Sequence, residues 1–351
     1  MSIDGIEPGR TAIVILNWND WKDTIECLES VYRIDYPNYD VILVDNGSTD
    51  DSVDRIKDYC KGRAVVDSSF MGSSTGNKPI RMLEHSLESD LIHENTTEDD
   101  RLLSLPSNSR LILIRNGKNC GYAEGNNIGI RYALKNLSPE YILLLNNDTV
   151  VDQRSINELV ATFSGDSRIG AVEPLVYCYD NPTCVQFSGG GRIDFYRGAC
   201  IEDIHPKRGE NDKVGCLTGC CFLVSRELIE NVGVMDPDFF LYWEEADWSV
   251  RMLRSGFKIL FNPSARIWHK GGNTTRKIGE VTFYYSMRNR ILFMRKHASN
   301  LHLFCFSFVF LPIDMLLICG NGLIKKTNLG VLRVLVRAIL DGVMIQVDAR
   351  P

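Results

Sequence analysis

Short, unbroken apolar runs alternate along the first half of the chain with segments whose apolar residues recur every three to four positions. Thr11 to Leu16, Val41 to Val44, Leu111 to Ile114 and Tyr141 to Leu145 are brief and bounded by polar residues, the pattern of strands buried on both faces. Ile25, Leu28 and Val31 fall at helical spacing between Asp23 and Tyr32, and a second helix runs to Tyr59 after the turn Asp45-Asn-Gly-Ser-Thr-Asp50. A third starts within Asn119-Cys-Gly-Tyr-Ala-Glu-Gly-Asn-Asn-Ile-Gly-Ile130 and continues through Leu134. Strand, helix, strand in repetition predicts an α/β fold, a doubly wound parallel sheet with right-handed crossovers.

Residues 67–109 interrupt this rhythm. They are rich in Ser, Asn, Thr, Glu and Asp and read as an insertion with one short helix around Ile80 to Leu91. The second half predicts a strand over Ile169 to Val176, a turn at Gly189-Gly-Gly191 and an apolar strand over Val214 to Arg226 with Thr218-Gly219 at its start. A short helix over Arg226 to Asn231 follows, and another begins near Glu244, with Asp247, Val250, Arg251 and Arg254 at helical spacing. Phe257 to Phe261 is a short strand, and Ala265 to Gly272 closes the unit in an extended run ending at His269. The C-terminal part differs. Leu301 to Cys319 is apolar but broken by His302, Pro312 and Asp314, and Val331 to Val343 sets Leu332, Leu335, Val336 and Ile339 against Arg333 and Arg337. A single membrane span is a poor match to the first stretch. The second suits a membrane interface or a helical hairpin packed on the protein or on a second subunit. The expected division is a catalytic domain over 1–290 and a helical region over 291–351.

Composition narrows the class. The chain has 351 residues, 44% hydrophobic and 24% charged, as folded globular proteins have. A net charge of −6 gives no support for a nucleic-acid partner. The eleven cysteines form no C-x-x-C pair, which argues against zinc and a disulfide framework. The polar stretch from Met1 to Arg10 lacks an apolar signal-peptide core, so a cytoplasmic location is expected.

The candidate chemistry collects at strand ends. Asn17, Asp45, Asn126 and Asp148 lie at or just past them, and in a doubly wound sheet those ends share one edge, where ligands bind. Gly121, Gly125 and Gly129 do not spell a dinucleotide fingerprint; Asn126 and Asn127 could instead bond a nucleotide or sugar from the helix's first turn. Glu244, Glu245 and Asp247 sit among Phe239, Phe240, Tyr242 and Trp243. A helix start favours acids through its macrodipole, but the aromatic frame also suits a sugar platform with a general base.

Val14-Ile-Leu-Asn17, Leu43-Val-Asp-Asn-Gly-Ser48, Leu144-Leu-Asn-Asn-Asp-Thr149, Thr218-Gly219, Tyr242-Trp-Glu-Glu-x-Asp247 and His269, in this order, resemble family 2 inverting glycosyltransferases of the GT-A fold, especially the rhamnosyl- and galactofuranosyl-transferase-like branch. The resemblance implies that Asp148, with His269 as distal ligand, holds a divalent cation (Mg2+ or Mn2+) on the donor's diphosphate. Asn146 stands where the family has the first acid of its D-x-D motif. Asn17 and Asp45 would hold the nucleoside, with Asn147, Gly219 and Trp243 as further substrate contacts. Glu245 falls on the family's catalytic base, supported by Glu244, with Asp247 as the alternative. The implied partners are a nucleoside-diphosphate sugar and a glycan or lipid-linked acceptor, and the amphipathic tail suggests peripheral contact with the cytoplasmic face of a membrane. A catalytically degenerate nucleotide-sugar-binding module is the competing reading, and a nucleotidyltransferase ranks lower because no glycine- and arginine-containing loop follows the first strand.

Overall fold

A computed structural model describes residues 9–66, 68–72, 78–87, 101–189, 191–202, 212–271, 279–324 and 329–346. Its centre is an 11-stranded, mostly parallel sheet. Strands β1 (Thr11–Asn17), β2 (Tyr39–Asn46), β3 (Arg81–Ser86), β4 (Arg110–Asn116) and β5 (Tyr141–Asn146) run parallel in the order β3-β4-β2-β1-β5. Helices α1 (Trp21–Val31), α2 (Ser52–Cys60) and α3 (Gly121–Asn136) make the connections. Two apolar cores form on opposite faces, since alternate residues of each strand point opposite ways: Ile13, Ile15 and Leu43 join one, Val14, Ile42 and Val44 the other. Gly129 is required where α3 crosses β1, because a Cβ there would stand 2.4 Å from Val14.

The expected helix at Ile80 to Leu91 is instead β3, an edge strand paired with β4; residues 88–91 lie outside the described ones. Tertiary pairing overrode local pattern there, and the sheet extends into the supposed insertion.

The second half adds β6 (Thr149–Val151), helix α4 (Ser155–Thr162), β7 (Ile169–Cys178), β8 (Val185–Phe187), β9 (Gly191–Asp194), β10 (Ala199–Glu202), β11 (Asp212–Lys213), β12 (Cys221–Ser225), α5 (Arg226–Val232), α6 (Glu244–Arg254) and β13 (Lys258–His269). Only Cys221 onward of the expected Val214 to Arg226 strand pairs as β12, antiparallel to β5 and β7. The two short runs expected around Phe257 and Ala265 are one strand, β13, with a register break between Asn262 and Arg266.

The C-terminal part comprises α7 (Gly279–His297), α8 (Asn300–Cys305), a wider π-type turn over Phe306–Phe310, α9 (Leu311–Ile324) and α10 (Leu329–Met344). The boundary expected at Arg290 falls inside α7, whose Ile291 to Met294 share a core with Phe239, Ala246 and Val250. On α10, Leu335 and Ala338 are buried, whereas Leu332 and Val336, expected on the apolar face with Leu335, stand exposed. α10 therefore packs on α7 through a narrower stripe than its sequence suggests, leaving a second apolar row unpartnered among the described residues.

Candidate active site

Topology gathers the site residues at one sheet edge. The parallel strands deliver their carboxyl ends there, and β12, being antiparallel, delivers its start. Asn146 N–H donates to the Cys220 carbonyl at 2.9 Å, which sets Thr218-Gly219 beside the end of β5. β6 pairs with β13 so that Thr149 opposes His269. That pairing brings Asp148 Oδ1 to 3.2 Å from His269 Nε2. Lys270 N–H donates to the Asp148 carbonyl at 3.0 Å, and its ammonium is fixed by Asp23 and Glu26.

A cavity of about 1470 Å³ opens along this edge. Asn146, Asn147, Asp148, Gly219, Trp243, Glu244, Glu245 and His269 all line it. Its size exceeds the usual range of single-ligand pockets and leaves room for two substrates.

Five expected residues are placed elsewhere. Asn126 is buried and donates to the Tyr122 carbonyl one turn back, off the cavity wall. Its neighbour Asn127 is locked to both backbone groups of Met235. Asn17 and Asp45 are buried behind the wall, joined at 2.8 Å, with Ser48 on Asp45. They shape the loop after β2 rather than line the cavity. The wall position there belongs to Asn46, which bonds Asn119 and Gly121 O. Asp247 also points away. It is fully buried among Arg251 at 2.8 Å, Lys296 at 2.6 Å and His297 at 2.7 Å. Burial alone would raise its pKa, but the His297 bond and the charges of Arg251 and Lys296 outweigh that and hold it far below the usual carboxylate range.

Glu244 and Glu245 have the opposite environment. Desolvation raises Glu245 to about 7. Glu244 is pushed well above its ordinary value, first by burial and then by the charge on Glu245, and its Oε2 has no hydrogen-bond partner among the described residues. Side by side and out of water, the two carboxyls resist carrying two charges at once. A carboxylate poised near the working pH is suited to take a proton. Its position is tight: a Cβ on Gly219 would lie 2.1 Å from Glu245 Oε1.

The loop before α6 is strained. Phe240, Tyr242 and Trp243 have φ of 60°, 68° and 75°, in the left-handed region that side chains avoid. Asn289 of α7 holds it, its buried amide donating to the carbonyls of Phe239 (2.5 Å), Leu241 (2.8 Å) and Tyr242 (2.7 Å). Of the expected aromatic frame, Phe239 is core, Phe240 stacks on Tyr285 at 4.7 Å, and Trp243 packs on Phe293 at 5.0 Å while lining the cavity.

Three supporting residues went unnoticed in the sequence. Glu173 accepts from Thr218 N–H and, at 2.8 Å, from its hydroxyl, which fixes the turn under Glu245. It is buried, and desolvation lifts it to about 8. One acid inside an otherwise apolar strand was the available signal. Gln186 Oε1 lies 3.1 Å from His269 Nδ1, and Asn289 clamps the loop; neither stands out in its local pattern.

A divalent cation suits Asp148 and His269. With a cation bound, Nδ1 would donate to Gln186 Oε1, 3.1 Å away, and Nε2 would ligate beside the Asp148 carboxylate, 3.2 Å from it. No group of three or more His, Cys, Asp or Glu side chains is arranged for a metal among the described residues. Two protein ligands would leave the remaining positions to diphosphate oxygens and water.

Residues 101–291 match the model of the glycosyltransferase-like family 2, and residues 12–71 that of glycosyl transferase family 2. The chain belongs to glycosyltransferase family 2. It is a glycosyltransferase. Among similar proteins is the dTDP-rhamnosyl transferase RfbF of Shigella flexneri, 27% identical over 71% of this chain and 83% of that protein. Another is the N-acetylglucosaminyl-diphospho-decaprenol L-rhamnosyltransferase of Mycobacterium tuberculosis, 26% identical over 39% of this chain and 48% of the relative. The structure resembles the mannosyltransferase PcManGT of Pyrobaculum calidifontis in complex with GDP-Man and Mn2+ (TM-score 0.53, 13% identity, 96% of this chain and 87% of that one). It also resembles GalNAc-T7 with UDP, GalNAc and Mn2+ (TM-score 0.55, 17% identity, 83% of this chain and 48% of that one). At these identities the likeness establishes the fold, which is GT-A as the resemblance implied.

Proposed function

We propose that this family 2 glycosyltransferase is metal-dependent and inverting, and moves a sugar, rhamnose among the candidates, from a nucleoside diphosphate to a hydroxyl of a glycan or lipid-linked acceptor. The observation that carries this reading is Glu245, raised to about 7 on the wall of the cavity that Asp148 and His269 also line. Glu245 takes the proton of the acceptor hydroxyl as its oxygen bonds to the anomeric carbon and the carbon–phosphate oxygen bond breaks. One in-line displacement inverts that carbon, and no protein nucleophile is used. Asp148 and His269 would hold the divalent cation, which, when bound, supplies positive charge against the leaving diphosphate. Glu244, raised by burial and by the charge of its neighbour, disfavours a second charge beside Glu245. Gly219 and Trp243 shape the wall around it, and Asn146 and Asn147 the wall beside Asp148.

Release of free sugar from nucleoside-diphosphate sugars, assayed with manganese and after chelation, tests the reading. Chelation is expected to abolish release, and Asp148→Asn to weaken manganese binding measured by titration. Metal-independent release of undiminished rate would overturn the assignment of Asp148 and His269.

A further inference from the structure

Two stretches of backbone meet at Glu245. The loop over 239–243 leads into it along the chain, and Gly219 lies against it across the site, where a Cβ would stand 2.1 Å from its Oε1. Strand β12 begins only at Cys221 and helix α6 only at Glu244, so Gly219 and residues 240–243 lie outside regular pairing. Other groups must hold them.

One residue bonds both stretches. Tyr122, in the first turn of α3, donates its N–H to the Phe240 carbonyl at 2.6 Å and its hydroxyl to the Gly219 carbonyl at 2.6 Å. Burial, and then the charges of Glu245 and Glu244, push its phenol well above the ordinary range, so the hydroxyl stays a donor at working pH. The close approach of α3 to the loop needs Gly121, whose φ is 87° and on which a Cβ would stand 2.4 Å from the Phe240 carbonyl oxygen. That glycine belongs to no dinucleotide fingerprint; it serves this contact.

Helix α7 closes on the same loop from the other side. Arg288 bonds the Asp238 carbonyl and, through its Nε, the Oδ1 of Asn289 at 2.7 Å. The second bond turns the Asn289 amide N–H groups toward the carbonyls of Phe239, Leu241 and Tyr242. Each carbonyl from Asp238 to Tyr242 is thus bonded to α3 or α7. These bonds keep Phe240, Tyr242 and Trp243 in a left-handed conformation that an unanchored loop would leave.

We propose that Tyr122 is a positioning residue for Glu245, a brace that fixes the loop before the base against the turn beneath it, with Asn289 as the clamp on the loop's far side. Proton transfer needs the carboxylate within hydrogen-bond reach of the acceptor hydroxyl, and a loop released from either anchor carries it out of reach. The Tyr122 hydroxyl proton is committed to Gly219, so the residue acts through Glu245 and not on the substrate. The inference rests on the sugar-transfer reading.

Tyr122→Phe deletes one hydroxyl, and Asn289→Ala deletes the clamp. Turnover of the full chain is read as manganese-dependent release of free sugar from UDP-, GDP- and dTDP-linked sugars, and affinity by titration with the matching nucleoside diphosphates. Tyr122→Phe is expected to lower kcat about tenfold with KM and nucleoside-diphosphate affinity unchanged. Asn289→Ala lowers kcat at least as far, and the double variant falls well short of the product of the two losses, because both act through one carboxylate. Undiminished kcat or weakened nucleoside-diphosphate binding in Tyr122→Phe, or losses that multiply, overturns the brace. Hydrogen exchange gives a reading independent of turnover. Amides of residues 217–221 in Tyr122→Phe, and of 239–247 in Asn289→Ala, should exchange about tenfold faster, while unchanged protection of β5 shows that each variant is folded. Wild type that releases no sugar would defeat the sugar-transfer reading; exchange alone then decides the brace, and unchanged rates over 217–221 overturn it.

Discussion

Glu245 and Asp247 sit two residues apart in the first turn of one helix, and the structure gives them opposite chemistry. Asp247 is buried against two cationic side chains, Arg251 and Lys296, and the His297 imidazole, and is held far below the normal carboxylate range. It ties α6 to α7 through Lys296 and His297. Glu245 is desolvated with no cation paired to it among the described residues, sits next to the buried Glu244, and is raised to about 7. Adjacency along the chain therefore says little about role. What decides it is whether a packing element brings charge to the carboxylate or only removes water from it.

The contrast is broken most directly at Glu245. Glu245→Gln is expected to lower kcat by about 10²–10⁴-fold, the usual worth of a positioned base, with nucleoside-diphosphate affinity unchanged by titration. Retained turnover would move the base to a neighbour. Asp247→Asn should cost stability instead, about 3 kcal/mol in chemical denaturation, because it removes the fully buried carboxylate that Arg251 and Lys296 share. A collapse of kcat in the folded variant, to the level of the Glu245 change, would erase the distinction. Gly219→Ala, which sets a methyl 2.1 Å from Glu245 Oε1, should reduce kcat about tenfold by displacing that carboxylate, with the melting temperature little changed.

Two pH measurements sharpen the comparison further. A base must be unprotonated, so kcat should rise with pH through about 7; a limb near 4 would show Glu245 to be solvated in the working enzyme. Glu173 is the smaller effect. Its folded pKa of about 8 lies above the ordinary value of 4.5, so the folded state holds a proton that the unfolded chain releases. Its contribution to stability is complete below about 4.5 and is lost as pH rises through about 8. Glu173→Gln should flatten that decline in denaturation curves recorded across the window, and an unchanged slope would assign the decline to other groups.

Much of the frame was readable from residue pattern. The apolar runs of β1, β2, β4 and β5 are continuous because both faces of the sheet are covered, and their shortness and polar bounds mark them as strands. β3 was misread because an edge strand with polar residues has no such continuity, and its strand state comes from pairing with β4. Asn126 was misplaced for a related reason. Helical position could be inferred, but which side of α3 faces the cavity depends on how the helix lies across β1.

The sequence alone determined the alternation of strands and helices, the polar strand ends and the acid pair at the start of α6, because those depend on period and local turn chemistry. Tertiary structure alone decided that Asp148 meets His269, since that contact requires β6 to pair with β13 across more than a hundred residues. It also decided that Glu245 faces a cavity while Asp247 faces Lys296 and His297. Both outcomes depend on long-range packing, which sets the solvent and charge around a group whose identity the sequence has already fixed.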